Sequence, residues 1–119
     1  MENHKLALII DDDDDVCVIL KSILSDAFDE IEYTHSLKSG REFLIRMKPD
    51  VVFLDNNLPD GQGVYLIQEI KNIIPAPLVI LITAMDNSKK EAIECGTDIF
   101  LEKPLTYTSV YHALELLYK

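Results

Sequence analysis

Three stretches of this chain read as strands that are apolar without a break: Leu6-Ala7-Leu8-Ile9-Ile10, Val51-Val52-Phe53-Leu54 and Leu78-Val79-Ile80-Leu81-Ile82. A strand with one wet face alternates polar and apolar residues, so uninterrupted runs of this kind belong to strands covered on both faces. Such cover comes from helices above and below the sheet, and the segments between the runs carry apolar residues at helical spacing. Two further strands read differently. Residues 31–35 alternate polar and apolar, and residues 99–102 are short with a charge at the end, both marks of a sheet edge.

With strands 1, 3 and 4 inside and right-handed crossovers, the simplest order is 2-1-3-4-5. The expected fold is therefore α/β: a flavodoxin-like (βα)5 three-layer sandwich on a five-stranded parallel sheet, with helices 1 and 5 on one face and helices 2, 3 and 4 on the other. A chain of 119 residues holds one such domain, spanning 1–119. Helix 1 is expected over 14–28, turning Val16, Ile19, Leu20, Ile23, Leu24 and Ala27 inward, and helix 2 over 39–47, ended by Pro49. Helix 3 is expected over 63–73, burying Val64, Ile67 and Ile70 before Pro75 and Pro77. A short helix 4 opens at Ser88-Lys89-Lys90-Glu91 and closes at Gly96, and helix 5 follows Pro104 with Val110, Ala113, Leu114 and Leu117 inward. Cys17 and Cys95 lie in these apolar patterns and read as buried free thiols.

Eleven basic against twenty-one acidic side chains leave a net charge of −10. That charge repels nucleic-acid phosphates and anionic lipid, so neither is an expected partner. The apolar runs are far too short to span a bilayer and the N-terminus lacks a signal-peptide core, which points to the cytoplasm.

In a sheet of this order, ligands bind beyond the carboxyl ends of strands 1 and 3, where the order reverses. Those ends carry Asp11-Asp12 and Asp55. Three carboxylates brought together there need a cation or protons to balance them, and a hard divalent ion such as Mg²⁺ suits that donor set. Asp14 and Asp15 read instead as solvated carboxylates in the first turn of helix 1. Asp11, Asp13 and Asp15 have the spacing of a calcium loop, but Val16 stands where that loop needs Gly and Ser22 where it needs Glu. Strands 4 and 5 end at Thr83 and at Lys103-Pro104, bringing a hydroxyl and an ammonium to the same crevice, both suited to phosphoryl oxygens.

Asp11-Asp12 after an apolar strand, the segment Pro49-Asp50-Val51-Val52-Phe53-Leu54-Asp55 continued by Asn56-Asn57-Leu58-Pro59-Asp60-Gly61, Thr83-Ala84 and Lys103-Pro104 resemble, in order and spacing, the receiver domains of bacterial response regulators. The resemblance covers essentially the whole chain. It implies that Asp55 is the phosphoacceptor, that Asp11, Asp12, Asp55 and the main-chain carbonyl of Asn57 hold Mg²⁺, and that Lys103 pairs with the phosphoryl oxygens. It also implies that Thr83 hydrogen-bonds the new phosphate, that Phe100 switches rotamer with it, and that a cis peptide precedes Pro104. The implied phosphoryl donor is a phosphohistidine on a sensor histidine kinase or phosphotransfer protein. The implied output is an effector domain or protein reached through helix 4, strand 5 and helix 5, with a phosphorylation-dependent dimer as one form. Such a domain catalyses its own phosphorylation and dephosphorylation only.

The chain departs from the family in a somewhat short stretch between Thr83 and Lys103, and in having Asp14 where a proline is common. The alternative is a Mg²⁺-dependent phosphatase with an aspartyl nucleophile, which normally adds a second acid and a cap over the substrate. A flavin-binding module would find an Asp-rich loop where a phosphate needs Gly, Ser or Thr.

Overall fold

Every side chain of the three unbroken apolar runs is buried except Leu78, which is partly covered, and the runs form the middle of one parallel sheet. The structure, a computed structural model, describes residues 5–84 and 96–118. Its elements are β1 (Leu6–Ile10), α1 (Asp14–Leu24), β2 (Glu30–Thr34), α2 (Leu37–Arg46), β3 (Val51–Asp55), β4 (Asn57–Leu58), β5 (Gly61–Gln62), a 3₁₀ turn (Gly63–Leu66), α3 (Ile67–Lys71), β6 (Leu78–Thr83), β7 (Ile99–Glu102) and α4 (Tyr107–Leu117). The five-stranded sheet runs β2-β1-β3-β6-β7, with every pair parallel. Among the main strands this is the expected order 2-1-3-4-5, with β2 and β7 at the edges.

Alternation across the strands divides the core in two. Leu8, Ile10, Val52, Leu54 and Leu81 face α2 and α3, whereas Ala7, Ile9, Phe53, Ile80 and Ile82 face α1 and α4. The predicted helix 4 with its cap at Ser88, and Cys95, lie outside the described residues. Gly96, expected to close that helix, has a φ of +100°, a conformation suited to glycine.

Several boundaries move for local reasons. α1 stops at Leu24, not at 28, as the Ser25 hydroxyl donates to the Ser22 carbonyl. Its buried stripe is Cys17, Leu20, Ile23 and Leu24, while Ile19 is 48% exposed. A helix lying flat on a sheet covers a narrower stripe than the apolar pattern offered. α2 begins at Leu37, two residues before the expected start, because Ser36 and Ser39 cap each other's amides. Helix 3 is realised as the 3₁₀ turn followed by α3, with Val64, Ile67 and Ile70 buried as expected. In α4, Val110, Ala113 and Leu114 are buried and Leu117 only partly so.

Candidate functional site

The carboxyl ends of β1 and β3 bring Asp11 and Asp55 together at the switch point. Both side chains are buried, and Asp12 beside them is exposed. Carboxylate oxygens of Asp11, Asp12 and Asp55 lie within 4.8 Å of one another. Among the described residues one ammonium faces them: Lys103 Nζ is 3.4 Å from Asp55 Oδ1 and 3.7 Å from Asp11 Oδ2. Asp11 Oδ1 accepts the Asp13 amide at 2.9 Å, but Asp11 Oδ2 is buried with no hydrogen-bond donor among the described residues. The cup has more acceptors than the donors of the described residues fill.

Protonation reflects this. Burial, and then the charge of Asp11, raise the Asp55 carboxyl to about 6 against the pull of Lys103 and of the Asn57 amide. Burial also raises Asp11, opposed by its bond from Asp13 and by Lys103. Burial works against the Lys103 ammonium, yet Asp55 and Asp11 together outweigh it and lift its pKa above the ordinary lysine value.

Thr83, buried at the end of β6, has an Oγ1 with no hydrogen-bond partner among the described residues, and its carbonyl accepts the Lys103 amide at 2.9 Å. The Lys103-Pro104 peptide is cis, as the family resemblance implies, and so is Ile74-Pro75. Phe100, paired with Leu81, is half-buried against the core beneath α2 and α3. Asn57 opens β4, two residues past Asp55. Asp14 lies outside the cup and meets His35 Nε2 at 2.8 Å, both side chains exposed. Asp13 caps α1 through the Asp15 amide. The Cys17 thiol donates to the Asp11 carbonyl at 3.3 Å and burial holds its pKa near about 12, so it is an inert core group.

Three residues without a role in the sequence analysis shape the site. Asn56 is buried: its amide donates to the Ile82 carbonyl, its carbonyl accepts the Gly63 amide, and its Oδ1 accepts the Val64 amide at 3.0 Å. A Cβ on Gly63 would overlap the Asp55 carbonyl oxygen, so only glycine fits beside the end of β3. Asp60, at the tip of the β4-β5 hairpin, accepts the amides of Leu37 and Lys38 at 2.8 and 3.0 Å. The turn signature Pro59-Asp60-Gly61 was the available signal for that hairpin.

The model of the response regulator receiver domain matches residues 7–115. The chain belongs to this family. Among relatives of this receiver domain, the chemotaxis protein CheY of Thermotoga maritima is 33% identical over 115 residues, covering 92% of this chain and 94% of that one. The transcriptional regulatory protein DpiA of Escherichia coli (strain K12) is 35% identical over 82 residues, 67% of this chain but 36% of DpiA. That match thus spans well under half the length of the relative. The crystal structure of a two-component response regulator from Clostridium difficile superimposes with a TM-score of 0.85 at 27% identity, over 98% of each chain. Among the described residues, no helix is long and apolar enough to cross a membrane.

Proposed function

We propose that this receiver domain is a phosphoacceptor switch in which Asp55 takes a phosphoryl group from a phosphohistidine on a sensor kinase or phosphotransfer protein. The single observation that carries this reading is the buried pair Asp11 and Asp55 facing one ammonium, with an acceptor at Asp11 Oδ2 left over. Asp11, Asp12, Asp55 and the Asn57 carbonyl would hold Mg²⁺, and the shared reach of the three carboxylates fits a hard cation that prefers oxygen. When bound, the ion neutralises charge between these carboxylates and the incoming phosphoryl oxygens.

Phosphoryl transfer needs positioning and charge balance more than covalent help. A carboxylate oxygen of Asp55 bonds to phosphorus as the P–N bond of the donor breaks and the imidazole leaves. Lys103, already 3.4 Å from Asp55, balances negative charge on the transferred group, and the unpartnered Thr83 hydroxyl supplies a donor to the acyl phosphate. Rotation of Thr83 toward the phosphate frees space that Phe100 fills, passing the change to the edge formed by β7 and α4. An effector domain or protein in the cytoplasm reads that edge, in the monomer or in a phosphorylation-dependent dimer. The unit catalyses only its own phosphorylation and dephosphorylation.

Incubation with a small-molecule phosphoryl donor and Mg²⁺ should place one acid-labile phosphoryl group on Asp55, located by peptide mass spectrometry. Label on another residue, or turnover of phosphate esters with no protein-bound phosphate, overturns the reading, the second in favour of a phosphatase.

A further inference from the structure

We propose that Asp60 is a positioning residue for the divalent-cation site: it ties the tip of the β4-β5 hairpin to the first turn of α2 and so holds the Asn57 carbonyl in place. The inference rests on the reading of Asn57 as a main-chain metal ligand. The hairpin leaves β3 directly after Asp55 and returns to Gly63 against the same strand. Its base is anchored through Asn56, which bonds Ile82, Gly63 and Val64. Its tip is anchored by Asp60, whose two carboxylate oxygens take the Leu37 and Lys38 amides, 23 and 22 residues distant in sequence. Only Asn57, Leu58 and Pro59 lie between the two anchors.

Helix capping alone explains this poorly. α2 has its own capping box, in which Ser36 satisfies the Ser39 amide and Ser39 the Ser36 amide. The first four amides of a helix have no partner within it, the capping box fills that of Ser39 and leaves those of Leu37 and Lys38, and Lys38 is exposed and open to water. Here a carboxylate from another element reaches both. The tip is shaped for that reach: Gly61 has a φ of +146° and lies under the Leu37 side chain, where a Cβ would be 2.9 Å from Leu37 Cδ1. A metal ligand supplied by main chain cannot be oriented by its own side chain, so its aim depends on what fixes the backbone on either side.

The test compares Asp60→Ala, Asp60→Asn and Ser36→Ala by calorimetric titration of the full chain with Mg²⁺ alone. Supporting outcomes share one pattern: Asp60→Ala binds Mg²⁺ about tenfold more weakly, at the low end of the range expected of groups that orient a ligand, and Asp60→Asn less so. Ser36→Ala, which removes a cap of the same helix without touching the hairpin, melts earlier but keeps wild-type affinity. The loss at Asp60 must persist at high salt, which screens a simple change of charge. An Asp60→Ala affinity equal to that of Ser36→Ala, or a loss that salt abolishes, overturns the proposal; if Asp60→Ala does not fold, Asp60→Asn decides. Wild-type protein that binds no Mg²⁺ overturns the metal reading itself, and this inference with it.

Discussion

Aspartates stand at both ends of the sheet, and the two ends treat them differently. At the amino ends, Asp29, Asp50 and Asp98 each directly precede a strand and accept a backbone amide: Lys5 at 3.2 Å, Leu6 at 2.8 Å and Val79 at 2.8 Å respectively. Asp98 also takes the Lys71 ammonium at 2.8 Å. These carboxylates stitch neighbouring segments together. At the carboxyl ends, Asp11 and Asp55 are more deeply buried and share Lys103, and Asp11 Oδ2 has no donor among the described residues. Burying acceptors unfilled costs stability, so on the proposed reading the carboxyl end trades folding energy for a cation site. The same residue type is mortar at one end and chemistry at the other.

The sharpest way to break this contrast is Asp55→Asn, which should remove phosphorylation entirely, as read by acid-labile phosphate, while the fold persists. It should also change the pH dependence of stability. The native Asp55 carboxyl sits at about 6, above its ordinary 3.8, so the folded metal-free protein binds this proton more tightly than the unfolded chain. Its contribution therefore falls as pH rises between those values and is flat above them. Urea midpoints across pH 4–7 should show that decline in wild type relative to Asp55→Asn; parallel curves would mean that Asp55 is not strained at this end.

Next in size is Gly63→Ala, expected to destabilise by about 3 kcal/mol, because the overlap is with main chain that cannot yield cheaply. It should also depress phosphorylation by shifting the end of β3. Normal phosphorylation in a folded Gly63→Ala protein would show that the strand end has slack.

At the opposite end, Asp98→Ala should cost about 2 kcal/mol, chiefly by stranding the Val79 amide, since the Lys71 ammonium keeps the Pro77 carbonyl, with Mg²⁺ affinity unchanged by titration. A weakened affinity would mean the two ends are coupled. The smallest effect is the ion's own: at tenfold excess over its Kd, Mg²⁺ should stabilise by about 1.4 kcal/mol. That gain, measured as a rise in melting temperature near pH 7.5, should shrink toward pH 5 as the proton competes for Asp55. Equal shifts at both pH values would show that proton and metal do not share that carboxylate.

The sequence alone determined the sheet and which polar residues stand at its carboxyl ends. Unbroken apolar runs identify interior strands, alternation identifies edges, and Asp11, Asp12, Asp55, Thr83 and Lys103 fall at strand ends that the topology places together. Those signals are local, read from spacings of two or of three to four residues. Tertiary structure decided what depends on distant segments. Cys17 faces the core and Ile19 the solvent because the docking of α1 on the sheet sets the rotation of its stripe. Gly63 matters because β3 passes under it, and Asn56 because β6 supplies a carbonyl to its amide. Asp60 reaches α2 only because the chain returns there after a full strand and turn, and the raised pKa of Asp55 follows from burial that helices on both faces impose. Asp60 and Leu37 stand 23 residues apart, Asn56 and Ile82 further still, and the nearer pair Asp55 and Gly63 meets only once the hairpin has folded back.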